Sequence, residues 1–350
     1  MADQKCALYR YHSDKLNEIV AQGFSMFDID KKIHKGALVM IKPNLVSDVA
    51  EYIANGCNTD VHLIEAVLKF LSNFDADVVI AESETGSKVK GRRLQRALDY
   101  MGVTALANRY KFRVVNLTHD EQKPVTFEDG LLLKQLMMGH TSLAADLIIN
   151  MPKLKTHKYA TITCALKNMF GCIPDPLRVV YHRNIHKAVA DINSLFIDRT
   201  FVVLDGIRCM EGQGPIFGKG VDMNLVGFCD DMLVNDVVCA QIMGFDPQAV
   251  QHIQLFRRRY HDIPLEHIEM VGPLRIEEIR RPFVHSRKNW FIRIEEQLMR
   301  SRWIVRVLFS AFFQRHITYH FRGLLKRLRG GSFSWYVDEG FEDTGEQHGQ

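Results

Sequence analysis

The sequence predicts an α/β protein: a mostly parallel sheet flanked by helices, followed by a basic amphipathic helical arm. Three observations predict it. Short, nearly continuous apolar runs alternate with stretches of helical periodicity, the pattern of buried parallel strands joined by crossover helices. The 350 residues are 47% hydrophobic, enough for one large core or two smaller ones. Charge is unevenly spread. Residues 1–285 hold 34 Lys/Arg and 34 Asp/Glu, residues 286–330 hold 11 against 2, and residues 331–350 hold none against 5.

Taken in order, residues 38–42 (LVMIK) read as a buried strand. Residues 62–73 follow with Leu63, Ala66, Val67, Phe70 and Leu71 at helical spacing. Residues 78–81 (VVIA) are a second strand, 92–110 a helix and 113–116 a third strand. Phe127 and Leu131 flank Glu128-Asp129-Gly130, a hairpin-type turn signal. Residues 147–150 (LIIN) are strand-like, 161–170 and 185–196 helical, 201–204 (FVVL) and 225–228 strand-like. Helices over 232–243 and 248–259 and a short strand over 268–271 complete the body. This gives an α/β domain over 1–285, with a division into lobes near residue 150 left open, then the arm, then a flexible acidic tail.

In open α/β sheets, ligands bind beyond the carboxyl ends of the strands. Those ends are rich in polar groups: Lys42-Pro43-Asn44, Glu82-Ser83-Glu84, Pro152-Lys153-Leu154-Lys155-Thr156-His157, Asp205-Gly206 and Cys229-Asp230-Asp231. Turns need Gly, Pro, Asn and Asp, not Lys and His. Residues 152–157 are expected to form a loop, with Lys167 and Asn168 close by on a helix. Grouped amines suit a phosphate or carboxylate, or a base whose pKa burial lowers, although a single lysine there would more often be a solvated loop residue. His157 and Lys155, with Glu211 and Asp205, are the catalytic candidates. Lys42, Asn44, Lys153, Lys167 and Asn168 are the substrate-binding candidates.

His182 and His186 stand four apart, a spacing that permits a divalent metal site on one helical face. Arg183 occupies the position of the Glu in the H-E-x-x-H motif, so two ordinary surface histidines are an equal reading. The glycine-rich stretch from Glu211 to Gly220 matches neither a Walker loop nor a complete G-x-G-x-x-G. A substrate-covering loop and a plain surface turn both fit it.

Seven scattered cysteines without a C-x-x-C pair argue against a disulfide framework or zinc ribbon and fit a reducing cytosol. Residues 1–12 lack the apolar stretch of a signal peptide, and no apolar run approaches the ~20 residues that span a bilayer.

Lys42-Pro43-Asn44-Leu45-Val46, Pro152–His157, Leu166-Lys167-Asn168-Met169-Phe170-Gly171, Asp205-Gly206-Ile207, Met210–Pro215 and Met243-Gly244 together resemble the domain-of-unknown-function family 362, in the family's order, over about residues 38–272. The resemblance implies that Lys42, Asn44, Lys153, Lys155, His157, Lys167, Asn168, Asp205 and Glu211 share a site, without assigning their roles. Many family members carry a ferredoxin-like cysteine module and are labelled iron–sulfur proteins. This chain has no C-x2-C-x2-C-x3-C run, so the resemblance does not extend to a cluster.

Residues 290–329 mix arginines with Trp303, Phe309, Phe312, Phe313 and Phe321. That composition suits a helix lying in the interface of an anionic membrane. Docking on a protein partner is the alternative. Nucleic acid fits less well, because the body is neutral and carries no known binding motif. The leading functional expectation is an enzyme acting on a small anionic substrate, lipid-linked or not, at the cytoplasmic face of a membrane. A ligand-holding or scaffold protein using the same crevice is the second, and a redox role the third.

Overall fold

The structure is a computed structural model describing residues 4–84, 93–263, 268–286, 297–298 and 301–308. Its strands are β1 (Gln4–Arg10), β2 (Leu38–Pro43), β3 (Asp77–Glu82), β4 (Arg113–Asn116), β5 (Gln122–Thr126), β6 (Gln135–Gly139), β7 (Leu147–Met151), β8 (Lys153–His157), β9 (Thr161–Thr163), β10 (Thr200–Glu211), β11 (Lys219–Cys229) and β12 (Ile268–Met270). Among the described residues the main sheet runs β12-β1-β11-β10-β7-β2-β3-β4, with β8 pairing β10 and β9 pairing β8. Strands β10, β7, β2, β3 and β4 are mutually parallel, and β11 is antiparallel to β10 and β1. The mostly parallel α/β class expected from the sequence is the observed one.

The sheet is buried on both faces because helices cover each, which is why its strands read as continuous apolar runs. Side chains alternate: Val39 and Ile41 pack on one face with Ile149 and Phe201, beneath the helices Leu16–Met26 and Val61–Leu71. Met40 packs on the other with Ile148 and Val202, beneath Ile185–Asn193 and Met232–Ile242. Helix Val61–Leu71 starts at Asp60, whose carboxylate accepts the His62 amide at 2.8 Å. Asp231 caps Met232–Ile242 in the same way through the Leu233 and Val234 amides. Each cap satisfies donors that the first helical turn leaves open.

Three elements differ from expectation. Residues 153–157 form strand β8 rather than a loop, because each lysine in its K-x-K alternation finds a buried partner. Residues 161–170 begin as strand β9, and the helix there is only Ala165–Met169. Strand β1 was not expected at all, since its apolar core is only Cys6–Tyr9 between charged ends. All seven cysteines are buried free thiols.

No described helix is long and apolar enough to cross a membrane. Of the arm, the helix Arg302–Leu308 is described. It lies against the 3-10 helical segment Arg178–Asn184, burying Val305 while Trp303 stays 72% exposed. The rest of the expected amphipathic helix, and the acidic tail, lie outside the described residues apart from 297–298 and Ser301.

Candidate functional site

Parallel strands bring their carboxyl ends to one rim. Asn44 follows β2, Glu82 ends β3, and His157 ends β8. Beneath the rim runs a chain of buried side-chain hydrogen bonds. Lys155 Nζ donates to Asn44 Oδ1 at 2.7 Å and to the Cys57 carbonyl at 2.8 Å. Asn44 Nδ2 donates to Asn168 Oδ1 at 3.1 Å. Asn168 Nδ2 donates to Asn150 Oδ1 at 2.7 Å, and Asn150 Nδ2 to the Ala165 carbonyl at 3.0 Å. A satisfied network of this kind fixes rotamers and holds Asn44 and Asn168 in place. Burial pushes the Lys155 amine down to about 7.

His157 turns at the tip of the β8–β9 hairpin. Its Nδ1 accepts the Tyr159 and Ala160 amides at 3.0 and 3.1 Å. A ring nitrogen that accepts carries no proton, so the neutral ring has its proton on Nε2. The hairpin closes through Thr161, which holds a φ of 69°, a conformation that costs a β-branched residue about 1–3 kcal/mol. His182 lies beside His157, ring centroids 6.1 Å apart and planes 20° apart. Its Nδ1 faces the Val179 carbonyl at 3.1 Å. It must donate there, so in the neutral ring Nε2 carries the lone pair. The two imidazoles therefore hold opposite tautomers, one offering a proton and the other able to take one. Burial, then the Lys167 charge, keeps both pKa values well below the usual histidine value.

A cavity of about 200 Å³ opens here. Its polar wall includes Asn44, Glu82, His157, Lys167, Asn168, Arg178 and His182, and its apolar wall includes Leu45, Phe170, Ile216 and Phe217. Lys167 Nζ sits 4.5 Å from the centroid of the Phe170 ring. Burial and then the Arg178 charge bring its pKa down to about 7. Residues 213–217 of the glycine-rich stretch line the cavity. Gly214 is required there, because a Cβ would lie 2.0 Å from the Thr156 carbonyl oxygen.

Of the residues singled out in the sequence, Asn44, His157, Lys167, Asn168 and His182 line this cavity. Lys155 stands one hydrogen bond behind Asn44. Lys42 sits behind Glu82, with Nζ 2.5 Å from Glu82 Oε2. Lys153 and Asp205 do not line the cavity. They pair at 2.8 Å, and Asp205 also accepts the Asp60 and Ile207 amides. Glu211 is turned toward the segment 281–284, accepting the Val284 amide at 3.1 Å with Arg281 beside it. His182 and His186 do not share a helical face. His182 lies in the 3-10 segment and His186 in the following α-helix, stacked on His252 at 5.5 Å. Among the described residues no group of three or more His, Cys, Asp or Glu side chains could hold a metal ion. The sequence reading did not assign Glu82, Asn150, Phe170 or Arg178. The first two lie at strand ends and could have been found by the strand-end rule; Phe170 closes the stretch read as helical, and Arg178 comes from a segment without periodicity.

A curated relative, the thylakoid-associated protein sll1697 of Synechocystis sp. (strain ATCC 27184 / PCC 6803 / Kazusa), is 24% identical over 231 residues, covering 62% of this chain and 66% of that protein. The chain thus spans just under two thirds of that relative. A solved structure, the lactate racemase apoprotein from Thermoanaerobacterium thermosaccharolyticum, superposes with a TM-score of 0.42 at 13% identity, over 69% of this chain and 57% of that one. The family model described as Domain of unknown function (DUF362) matches residues 39–241. That span is more than half of the chain and contains every cavity residue named above, and the chain belongs to this family.

Proposed function

We propose that the protein is an enzyme that binds a small carboxylated or phosphorylated molecule in this cavity and moves a proton on it. The observation that carries the reading is the pair of oppositely protonated imidazoles, His157 and His182, facing one cavity with the Lys167 amine and the Arg178 charge. A neutral donor and a neutral acceptor side by side are what general acid–base chemistry requires, and cations around them favour an anionic substrate. Asn44 and Asn168 orient it. Lys155, Lys153 and Asp205 hold the framework rather than touch the substrate. The basic, aromatic segment 290–329 keeps the enzyme on an anionic, cytoplasm-facing membrane, with Trp303 among its anchors.

Thermal-shift screening against carboxylates and phosphate monoesters tests the site, with deuterium exchange from solvent into the bound compound read by NMR. A ligand at 100 times its Kd stabilises by about 2.7 kcal/mol. The expected result is stabilisation that Lys167→Met removes and exchange that His157→Asn removes. Stabilisation untouched by Lys167→Met refutes the site, and binding without exchange leaves a ligand-holding protein. For the arm, the full chain is expected to sediment with anionic vesicles. A chain cut after His285 that sediments equally well refutes membrane docking.

A further inference from the structure

Of the five lysines near the rim, Lys158 lies over the face of Tyr159 and three others have fixed partners in the interior. Lys42 is paired with Glu82, Lys153 with Asp205, and Lys155 is held by Asn44 and the Cys57 carbonyl. Lys167 differs. Among the described residues its amine has neither a carboxylate partner within ion-pair distance nor a hydrogen-bond acceptor, and its contact is the face of Phe170. That ring meets His182 edge-on at 5.6 Å. An amine in a cavity wall, with an aromatic face for a neighbour and a guanidinium nearby, is the setting in which lysine becomes a nucleophile.

We propose that Lys167 forms a covalent imine with the carbonyl carbon of an oxo-carboxylate bound in the cavity. This deepens the anionic-substrate reading and rests on it. The Nζ lone pair attacks the carbonyl carbon, forming the C–N bond as the C–O π bond breaks. One proton leaves nitrogen and one reaches oxygen, giving a carbinolamine. The second N–H proton then leaves with the hydroxyl as water, and the C=N bond remains. His157, with its proton on Nε2, and His182, with its lone pair there, are the groups in the cavity able to give and take these protons. The carboxylate is drawn by the Arg178 charge. The walls at Leu45, Ile216 and Phe217 favour an apolar body on the other side of the carbonyl. The low pKa of Lys167 is consistent with this, since it leaves a large neutral fraction at neutral pH.

The test incubates the full chain with glyoxylate, pyruvate or phenylpyruvate and sodium cyanoborohydride. Reduction adds hydride to the imine carbon and a proton to nitrogen, fixing a secondary amine that peptide mass mapping locates. The expected result is label concentrated on Lys167, fastest with phenylpyruvate, its rate rising through pH about 7. Lys167→Arg should lose that label while melting like the wild type. If that variant does not fold, suppression of wild-type labelling by 3-phenyllactate serves in its place. Label spread over surface lysines, with Lys167 no more reactive than they are, overturns the proposal. If 3-phenyllactate, which has a hydroxyl in place of the keto group, still stabilises the protein, the anion site survives and only the nucleophile falls. If it neither stabilises nor competes and Lys167 stays unlabelled, both readings fall.

Discussion

Replacing Lys153 by Met should unfold the protein more readily without touching the cavity. Asp205 is fully buried and holds three donors: Lys153 Nζ at 2.8 Å, the Asp60 amide at 2.6 Å and the Ile207 amide at 3.0 Å. Methionine fills most of the lysine's volume but leaves a carboxylate in the core with two amides and no cation. Breaking a buried pair from one side costs about 3–5 kcal/mol. An unfolding entropy of about 2.1 cal/mol/K per residue gives roughly 1.4 °C per kcal/mol for 350 residues, so the melting temperature should fall by roughly 4–7 °C. The loss should be pH-dependent. Burial already holds the Asp205 carboxyl above its ordinary value despite Lys153, and losing the cation raises it further, so the variant's native state binds the extra proton more readily and the deficit narrows as pH falls from 7 toward 5. Lys153→Met combined with Asp205→Asn should cost less than the sum of the two singles, by about 0.5–3 kcal/mol. Urea melts at pH 7 and pH 5 measure all of this. A single variant within about 1 kcal/mol of wild type, or a deficit that ignores pH, would show that the pair does not hold this part of the sheet.

Other outcomes follow from the same packing. His157 and His182 both titrate well below 6.5 in the folded chain. The unfolded state therefore binds more protons below about pH 6.5, and stability should drop as pH falls through that window; urea midpoints in His157→Asn/His182→Asn should fall less steeply. Gly171→Ala places a Cβ 2.5 Å from Glu82 Oε1 and 2.9 Å from Lys42 Nζ. Making room must displace the buried Lys42–Glu82 pair, so a loss of about 1–3 kcal/mol is expected in denaturant melts, with weaker anion binding. Thr161→Gly relieves the positive φ, and calorimetry should record a stability change of no more than about 1 kcal/mol in either direction, because glycine's added unfolded-state entropy offsets the relief.

The fold class was legible because parallel strands buried on both faces leave an unmistakable trace: LVMIK, VVIA, LIIN and FVVL each became β2, β3, β7 and β10. What sequence could not show was which polar side chains a strand can bury. Lys153 and Lys155 read as a solvated or ligand-facing loop because lysine is rarely buried. Their partners, Asp205, Asn44 and the Cys57 carbonyl, lie many residues away in sequence. The same long-range dependence separates His182 from His186, since a change from 3-10 to α geometry between them breaks the i, i+4 face. Glu211 was expected in a glycine-rich loop beyond a strand ending at residue 204, whereas β10 runs on to Glu211 and the chain at 281–284 folds over it. Arg178 was invisible because nothing in a segment lacking periodicity says which way it faces.

The two roles proposed for Lys167, anion binding and nucleophilic attack, should separate by pH. With a pKa of about 7, roughly half of the ligand-free protein carries an uncharged amine at neutral pH. An anion seated beside the amine favours its charged form and raises that pKa. Binding must then take up a proton, by linkage, whenever the solution lies between the two values. At pH 6 the amine is already charged and uptake should be close to zero. Near pH 8 it should approach one proton per ligand, and affinity should fall up to tenfold per pH unit across the interval. Titration calorimetry with 3-phenyllactate in buffers of different ionisation enthalpy counts these protons directly. Imine trapping should slope the other way, because attack needs the neutral amine. Two opposed profiles crossing near the same pH, both abolished by Lys167→Met, would tie both behaviours to one nitrogen. Anion affinity that is flat from pH 6 to 8, with no proton taken up, would mean that Lys167 neither meets the ligand nor titrates where its surroundings place it.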